Sequence, residues 1–150
     1  MKDSGVKAKI IRRYLPIMNQ KINQYLQMMD FYINFTFDEQ FNEKIRSPIH
    51  EKFSYESFSE GEKMRIDLAI LFTWRDIAKM KNSSATNLLI LDEIFDSSLD
   101  NGGTDEFVKI IRYVIKDAHI FLITHKSEDL NDRFDQLITF EKLNGFSRMV

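Results

Sequence analysis

Two adjacent carboxylates, Asp92 and Glu93, directly follow a short apolar run from Leu88 to Leu91. Four apolar residues without alternation predict a strand that is buried on both faces, as in a parallel sheet covered by helices. In such sheets, ligands bind in the crevice beyond the carboxyl ends of the strands. Two acids at that edge can hold a hard cation and position a water molecule. An isolated Asp-Glu pair is equally compatible with a polar turn.

The segment Ser59-Glu60-Gly61-Glu62 offers a second kind of chemistry, because it opens a predicted helix of roughly Glu60 to Lys81. Ser59 and Glu62 have the Ser-x-x-Glu spacing of a capping box. Capping does not explain Gly61, which costs a helix about 1 kcal/mol relative to alanine. A glycine in the first turn lets another group approach the backbone closely. The unpaired N–H groups of that turn suit an anion.

The elements that must position these residues can be read in chain order. Residues from Val6 to about Met29 predict a helix, which Pro16 should kink or split near Leu15. Its apolar seam has heptad-type spacing: Ile11, Leu15, Met18, Ile22, Tyr25 and Met29. Two interpretations remain open, an amphipathic helix lying on its own domain and the base of a coiled-coil arm.

The remaining segments predict strands alternating with helices. Residues 31–37 have the period of a half-buried strand, and 41–45 are the candidate for the returning strand. Residues 104–116 and 126–134 predict helices, and His119 to Thr124 predicts a second buried strand with His125 at its carboxyl end. Asn144-Gly145 is a strong hairpin signal between 135–142 and 146–149. This alternation indicates an α/β layered core.

The composition limits the classes of function. The 150 residues make one domain, and a hydrophobic content of 43% supplies a core. A formal net charge of −2 gives no electrostatic case for nucleic-acid binding by the chain as a whole. The absence of cysteine excludes disulfides and thiolate metal sites. Without a signal-peptide core or the roughly 20 apolar residues of a membrane span, we expect a cytoplasmic location and no membrane partner.

Three motifs occur in a fixed order at the ends of predicted elements. The 59–62 segment opens a helix, an apolar strand ends at Asp92-Glu93 with the 98–100 segment behind it, and a second strand ends at His125. This order resembles the second half of an ABC-type ATPase head, with its signature motif, Walker B motif, D-loop and switch histidine. Within that class the chain looks like the SMC-like large ATPase subunits of double-strand-break repair nuclease complexes, including those of T-even-type phages.

The resemblance implies a role for each of these residues. Asp92 would hold Mg²⁺, Glu93 would be the general base for the attacking water, and His125 would contact the γ-phosphate of ATP. The signature residues would contact, in trans, the ATP held by a second head: Ser59, Gly61 and Glu62. The D-loop would lie across the interface of the head dimer: Ser98, Leu99 and Asp100. These roles suit phosphoryl transfer, which needs positioning and charge neutralisation more than covalent help.

The implied fold is an α/β C-terminal lobe of an ABC-type P-loop NTPase head with a mainly parallel sheet. It would span residues 31–150, and residues 1–30 would be the helical base of the arm. The family usually has a second glycine where Glu60 stands here. A carboxylate beside a phosphate would repel it unless the side chain pointed to solvent or to a basic residue of the partner.

The chain lacks the loop that would cradle the phosphates. A P-loop reads G-x-x-x-x-G-K-[ST], and no two of the five glycines are five positions apart. We therefore expect the chain to bind ATP poorly and to hydrolyse none unless an N-terminal P-loop lobe completes it. The resemblance further implies a second head in a homodimer, a nuclease subunit as a partner and DNA reached through the complex. The apolar surface left by the missing lobe should include the Phe-rich segment 31–41.

Two other functions compete with an ATPase half-site. A split or truncated gene product could act as a non-catalytic assembly or dimerisation module, which the missing P-loop favours. A Mg²⁺-dependent nuclease could use Asp92, Glu93, Asp96 and Asp100, although carboxylates that share a metal on a strand prefer a spacing of two. Direct DNA contact stays open for two groups of basic residues, with a solvated helix face as the alternative: Lys7, Lys9, Arg12 and Arg13, and Lys109, Arg112 and Lys116.

Overall fold

The computed structural model describes residues 3–46, 54–81, 87–94, 101–116, 118–125, 130 and 133–150. The helices are α1 (Asp3–Met28), α2 (Glu60–Lys81) and α3 (Asn101–Val114), and a single 3-10 turn covers Tyr55–Ser57. The strands are β1 (Asn34–Phe37), β2 (Glu43–Arg46), β3 (Leu88–Asp92), β4 (His119–Ile123), β5 (Phe140–Leu143) and β6 (Phe146–Met149). The order of helices and strands is therefore the α/β order that the sequence predicts, with one parallel and two antiparallel strand pairs in the described part.

Helix α1 runs without a break through Pro16, so the predicted split near Leu15 is wrong. Pro16 is exposed, and a carbonyl that loses its helical partner on the solvent side can bond to water instead. The apolar seam packs on the chain's own core: Leu15, Met18, Ile22, Leu26 and Met29 are buried. The buried side chains from Leu15 onward therefore hold the helix against the core across the proline.

Strands β1 and β2 form the antiparallel hairpin predicted for residues 31–46, with Phe35 opposite Ile45. Phe35 is fully buried, while its neighbour Asn34 is exposed. The alternation predicted from the sequence is therefore confirmed here. The expectation that this Phe-rich segment is an exposed apolar face is wrong for Phe35, whereas Tyr32 and Phe41 are exposed.

Helix α2 packs along α1, and its buried residues continue the same core. At 3.6 residues per turn they span about 220° of the helix circumference: Met64, Ile66, Leu68, Ala69, Phe72, Thr73 and Ile77. Arg65 of α2 pairs with Glu106 of α3 and so ties the third helix to the second. Buried residues of α3 complete the core, among them Phe107 and Ile111.

Strands β3 and β4 run parallel, with Ile90 beside Phe121 and Asp92 beside Ile123. Only one face of this pair joins the core, through Leu91 and its neighbours. The other face carries apolar side chains that are about half exposed: Leu88, Ile90, Phe121 and Ile123. The prediction that these strands are buried on both faces is therefore wrong for the chain by itself, because no described element covers the second face.

The last hairpin, β5–β6, turns at Asn144 and Gly145, which have φ angles of 52° and 84°. Positive φ at both turn residues is the conformation that an Asn-Gly pair favours, so the hairpin prediction is confirmed. All eight strand residues are exposed, including Phe140 and Phe146. Most of the predicted helix 126–134 lies outside the described residues.

Candidate functional site

The first part of the site is the point where β3 ends and the chain turns. Asp92 is the last residue of β3, and the next amide, that of Glu93, donates a 2.9 Å hydrogen bond to the carbonyl of Ile123 in β4. Glu93 then adopts a φ of 50°. A non-glycine residue in this left-handed region is uncommon and is over-represented at functional sites. The parallel pairing thus sets Glu93 at the carboxyl edge of the sheet.

Strand β4 delivers the second member of the site to the same edge. His125 lies two residues after β4, and its Nε2 is 2.8 Å from Oε1 of Glu93. Thirty-two positions separate the two residues in sequence, and the in-register parallel strands bring them together. Both side chains are exposed, so substrate could reach them. The carboxylate can orient the imidazole, and the imidazole can hold or release a proton at Nε2.

Asp92 occupies a different position from Glu93. Its place in the strand puts it on the bare face of β3–β4, alongside Ile123, and it is exposed. Within the described residues no group of three or more histidine or acidic side chains is arranged to hold a metal ion. Mg²⁺ is commonly bound by one or two carboxylates together with water and substrate phosphates. Asp92 therefore suits Mg²⁺ as a single protein ligand beside a nucleotide, not as part of a complete protein cage.

The second part of the site is the N-terminus of α2, where Ser59 and Glu62 interact as a capping pair. The carboxylate oxygen Oε2 of Glu62 accepts hydrogen bonds from the Ser59 amide at 2.9 Å and from the Ser59 hydroxyl at 2.8 Å. The Ser59 carbonyl accepts the Lys63 amide at 2.9 Å and starts the helix. One half of the predicted capping box is thus formed, while the serine hydroxyl donates to Glu62 instead of capping an amide.

Gly61 lies one residue inside α2 and is not needed for packing within the chain. A Cβ added there would meet no heavy atom within 4 Å. Its helical backbone does not require glycine either. The open space beside Gly61 leaves room for a group from outside the chain. Glu60, which stands where the resemblance has a glycine, is exposed and pairs with Lys63 of its own helix at 2.8 Å.

Contacts of Tyr55 and Phe58 hold the segment before this N-terminus in place, and no pattern in the sequence predicts them. The Tyr55 hydroxyl lies 3.0 and 2.9 Å from the two carboxylate oxygens of Asp67, one turn further along α2 than Lys63. Burial, followed by the bond to Asp67, raises the pKa of Tyr55 well above its usual value. Burial also raises the pKa of Asp67, against the opposing effect of the bond from Tyr55. Phe58 is buried against Phe31, which fixes the chain just before Ser59.

The described residues bring Glu93 and His125 together, and they place Ser59, Gly61 and Glu62 in one turn. The predicted D-loop residues Ser98, Leu99 and Asp100 lie outside the described residues, as does Asp96. No helix in the described part has the length and apolarity to cross a membrane.

The architecture is that of the C-terminal part of an SMC-type ATPase head, an α/β fold. The SMC head domain from Thermotoga maritima superposes with a TM-score of 0.63 at 25% identity, over 97% of this chain and 51% of that one. A structure from work on ATP-driven dimerization and DNA-stimulated activation of SMC ATPases superposes with a TM-score of 0.69 at 18% identity. That superposition covers 95% of this chain and 88% of the other.

Among curated proteins, the chain is homologous to exonuclease subunit 2 of Enterobacteria phage T4. The two sequences are 47% identical over 150 residues, which is 100% of this chain. The match covers the C-terminal 26% of the phage T4 protein, so the chain spans about a quarter of that relative's length. No protein-family model matches the chain.

Proposed function

We propose that the chain supplies the catalytic edge of an ATPase head in a DNA recombination and repair exonuclease complex. The observation that carries this proposal is the contact of 2.8 Å between Glu93 and His125 at the ends of two parallel strands. An acid and a histidine at that edge can act on a water and a phosphate that approach together. The homology to phage exonuclease subunit 2 supports the setting, which would be the cytoplasm of an infected host cell.

Glu93 is the proposed general base. Its carboxylate lies at the exposed edge of the sheet, where it can accept a hydrogen bond from the attacking water and polarise it. Asp92 is the proposed ligand of Mg²⁺, which when bound with ATP would neutralise charge on the phosphates. The two acids thus have separate tasks, because one sits on the bare face of the sheet and the other at its edge.

His125 is the proposed contact for the γ-phosphate. In the present arrangement its Nε2 lies beside the Glu93 carboxylate. A phosphate arriving at this edge would compete for the same N–H, since an anionic oxygen is a strong hydrogen-bond acceptor. Movement of His125 toward the phosphate would leave Glu93 available for the water. The histidine can therefore report whether the γ-phosphate is present.

The N-terminus of α2 is proposed to act on the nucleotide of a second head. Its free N–H groups and partial positive charge suit a phosphate, and the space beside Gly61 leaves room for one. The Ser59 hydroxyl would then release its hydrogen bond to Glu62 and donate to that phosphate instead. One of the structural relatives comes from work on ATP-driven dimerization of SMC ATPases. The D-loop, Ser98 to Asp100, is proposed to line the same interface.

A P-loop lobe is the proposed partner that completes the site. The bare face of β3–β4 carries Asp92 next to its exposed apolar residues, Ile90 and Phe121 among them. Burial of such a face is worth about 25 cal/mol per Å², so a covering lobe would be held where its phosphate loop could meet Asp92. The nuclease subunit, and DNA through the complex, are further partners that the homology suggests.

The test is reconstitution. The chain is co-expressed with a P-loop lobe taken from the N-terminal part of a phage exonuclease subunit 2, and ATP hydrolysis is measured. We expect turnover only from the pair, and we expect Glu93→Gln to lower it at least about a hundredfold without loss of ATP binding. Glu141→Gln, at an exposed strand position, is the matched control. Micromolar ATP binding by the chain alone, or full turnover by Glu93→Gln, would contradict the proposal.

The competing candidate is a non-catalytic assembly module, which the absence of a P-loop from the sequence favours. It predicts that the lobe and the chain associate but that no ATP is hydrolysed, and that Glu93→Gln leaves association unchanged. The same reconstitution separates the two functions, because only the ATPase hypothesis predicts a difference in turnover between Glu93→Gln and Glu141→Gln.

A further inference from the structure

Two asparagines of α1, Asn19 and Asn23, hydrogen-bond to the backbone of β1 as a neighbouring strand would. The Asn19 side chain donates to the Phe37 carbonyl at 3.0 Å and accepts from the Phe37 amide at 2.8 Å. The Asn23 side chain donates to the Phe35 carbonyl at 2.6 Å and accepts from the Phe35 amide at 2.9 Å. Four hydrogen bonds thus join a helix to the edge of a strand.

The match depends on the dimensions of the two elements. Residues four apart in a helix are separated by about 6 Å along its axis, and residues two apart in a strand by about 6.7 Å. Asn19 and Asn23 can therefore face Phe37 and Phe35 at once, with the helix and the strand antiparallel. Asn23 also donates to the Asn19 carbonyl at 2.7 Å. Both of its amide hydrogens are used, which holds its rotamer.

The opposite side of the same two turns carries a second polar contact. Lys21 donates to the Asp76 carboxylate of α2 at 2.6 Å, and the Tyr25 hydroxyl donates to the same oxygen at 2.9 Å. At 3.6 residues per turn, Lys21 lies about 160° around the helix from Asn19. The buried stripe of α1 occupies the arc from Tyr25 to Asn19: Leu15, Met18, Ile22, Leu26 and Met29. Polar contacts therefore flank the apolar stripe on both edges.

We propose that Asn19 and Asn23 fix both the register and the rotation of α1 relative to β1, an arrangement that we call the lock. Together with the Lys21–Tyr25–Asp76 contact on the other edge of the stripe, the lock makes α1, the β1–β2 hairpin and α2 move as one rigid body. Apolar packing alone tolerates sliding and twisting, because it is not directional. The hydrogen bonds of the two asparagine side chains do not tolerate such movement, because rotating α1 by one residue would move both asparagines away from the strand. The lock is independent of the proposed function, since none of these groups belongs to the nucleotide site.

The lock makes a specific prediction for hydrogen exchange. In an antiparallel pair, alternate residues face the partner strand, so the amides of Phe35 and Phe37, which bond to the asparagines, are not protected by β2. In the full 150-residue chain we expect Asn19→Ala/Asn23→Ala to speed exchange at these two amides by about tenfold or more, the equivalent of losing one good hydrogen bond. The Gln20→Ala/Gln24→Ala pair, on the exposed side of α1, is the matched control and should change neither rate.

Rotation is measured separately. The chain contains no cysteine, so spin labels at Gln27→Cys on α1 and Gln40→Cys in the hairpin loop report a single distance. We expect a narrow distance distribution in the parent and in the Gln20→Ala/Gln24→Ala control. We expect a broader one in Asn19→Ala/Asn23→Ala. Unchanged exchange together with an unchanged distribution would overturn the lock.

A second variant covers the case in which the alanine protein does not fold. Asn19→Asp/Asn23→Asp keeps the volume but removes the N–H donors, so each carboxylate faces a backbone carbonyl. Protonation restores a donor. We therefore expect exchange at Phe35 and Phe37, relative to the parent at each pH, to fall back toward the parent rate as the pH drops below about 4, the ordinary pKa of a carboxyl group. A ratio that does not change with pH would overturn the proposal.

Discussion

The region from α1 to α2 and the region from β3 to β6 differ in how far their aromatic side chains are exposed to solvent. In the first region, Phe35 and Phe72 are at most 1% exposed, and polar contacts join α1 to α2 and to β1. In the second region, Phe121 is 52% exposed and Phe146 is 79% exposed. Residues of α3 and β3 complete the core around the first region, whereas the outer face of β3–β4 and the β5–β6 hairpin stay uncovered in the described part of the chain. The contacting pair Glu93 and His125, which we propose to be catalytic, belongs to the uncovered region.

The largest expected effect tests this contrast directly. Phe35→Ala should lower the free energy of unfolding by about 3–5 kcal/mol, because it removes a fully buried ring and leaves a cavity. Phe146→Ala, the matched change at an exposed ring, should stay within about 0.5 kcal/mol of the parent. Denaturant unfolding of both variants measures the difference. Similar losses in the two variants would show that the hairpin β5–β6 is buried in solution and that the contrast is wrong.

The sequence predicts an element of the fold correctly where the pattern lies among residues that are neighbours in the chain. The alternation around Phe35 and the Asn144-Gly145 turn depend on neighbours in the chain, and both have their predicted structure. The Ser59–Glu62 spacing is equally local, and it forms one half of the predicted capping box. The split at Pro16 was mispredicted: α1 continues through the proline, where Leu15 and Met18 are buried against the core. Burial of β3 on both faces was mispredicted because a run of apolar residues shows that a face can be covered, not which chain covers it.

The candidate site divides in the same way. The sequence predicts the strand ends that carry Glu93 and His125, and the parallel register then sets their contact. It does not reveal the Tyr55–Asp67 bond or the amide contacts of Asn19 and Asn23 with β1. Those contacts depend on how separate elements meet, and no spacing within one element encodes them.

The next prediction concerns the bare face itself. Phe121→Ala should weaken association with a P-loop lobe by about tenfold, since truncating a central interface aromatic typically costs more than 1 kcal/mol. The stability of the chain alone should hardly change, because the ring is half exposed there. Titration calorimetry with the lobe measures the affinity, and Phe140→Ala on the separate β5–β6 hairpin shows whether that hairpin shares the interface. Unaltered affinity in Phe121→Ala would mean that the lobe binds elsewhere.

A smaller effect is expected where the first region supports the α2 N-terminus. The raised pKa of Tyr55 means that its contribution is complete below pH about 10 and is lost as the pH rises toward the folded pKa. We expect Tyr55→Phe to lose less than about 1 kcal/mol at neutral pH, because the ring is partly exposed. Its stability should also fall less steeply than that of the parent between pH 10 and pH 12. Parallel pH curves for parent and variant would contradict the bond to Asp67.

The smallest expected effect concerns the acidic residue that replaces the family's glycine. Glu60 pairs with Lys63 three residues along α2, and an exposed pair of this kind is worth about 0.2–0.5 kcal/mol. Since Lys63 neutralises the carboxylate, Glu60→Gln should leave nucleotide-driven dimerisation of the completed head within about twofold of the parent. Lys63→Gln should weaken dimerisation, because it leaves an unpaired negative charge beside the proposed phosphate contact. Sedimentation of both variants with Mg-ATP measures this. Markedly stronger dimerisation in Glu60→Gln would show that Glu60 repels the partner's nucleotide despite its lysine.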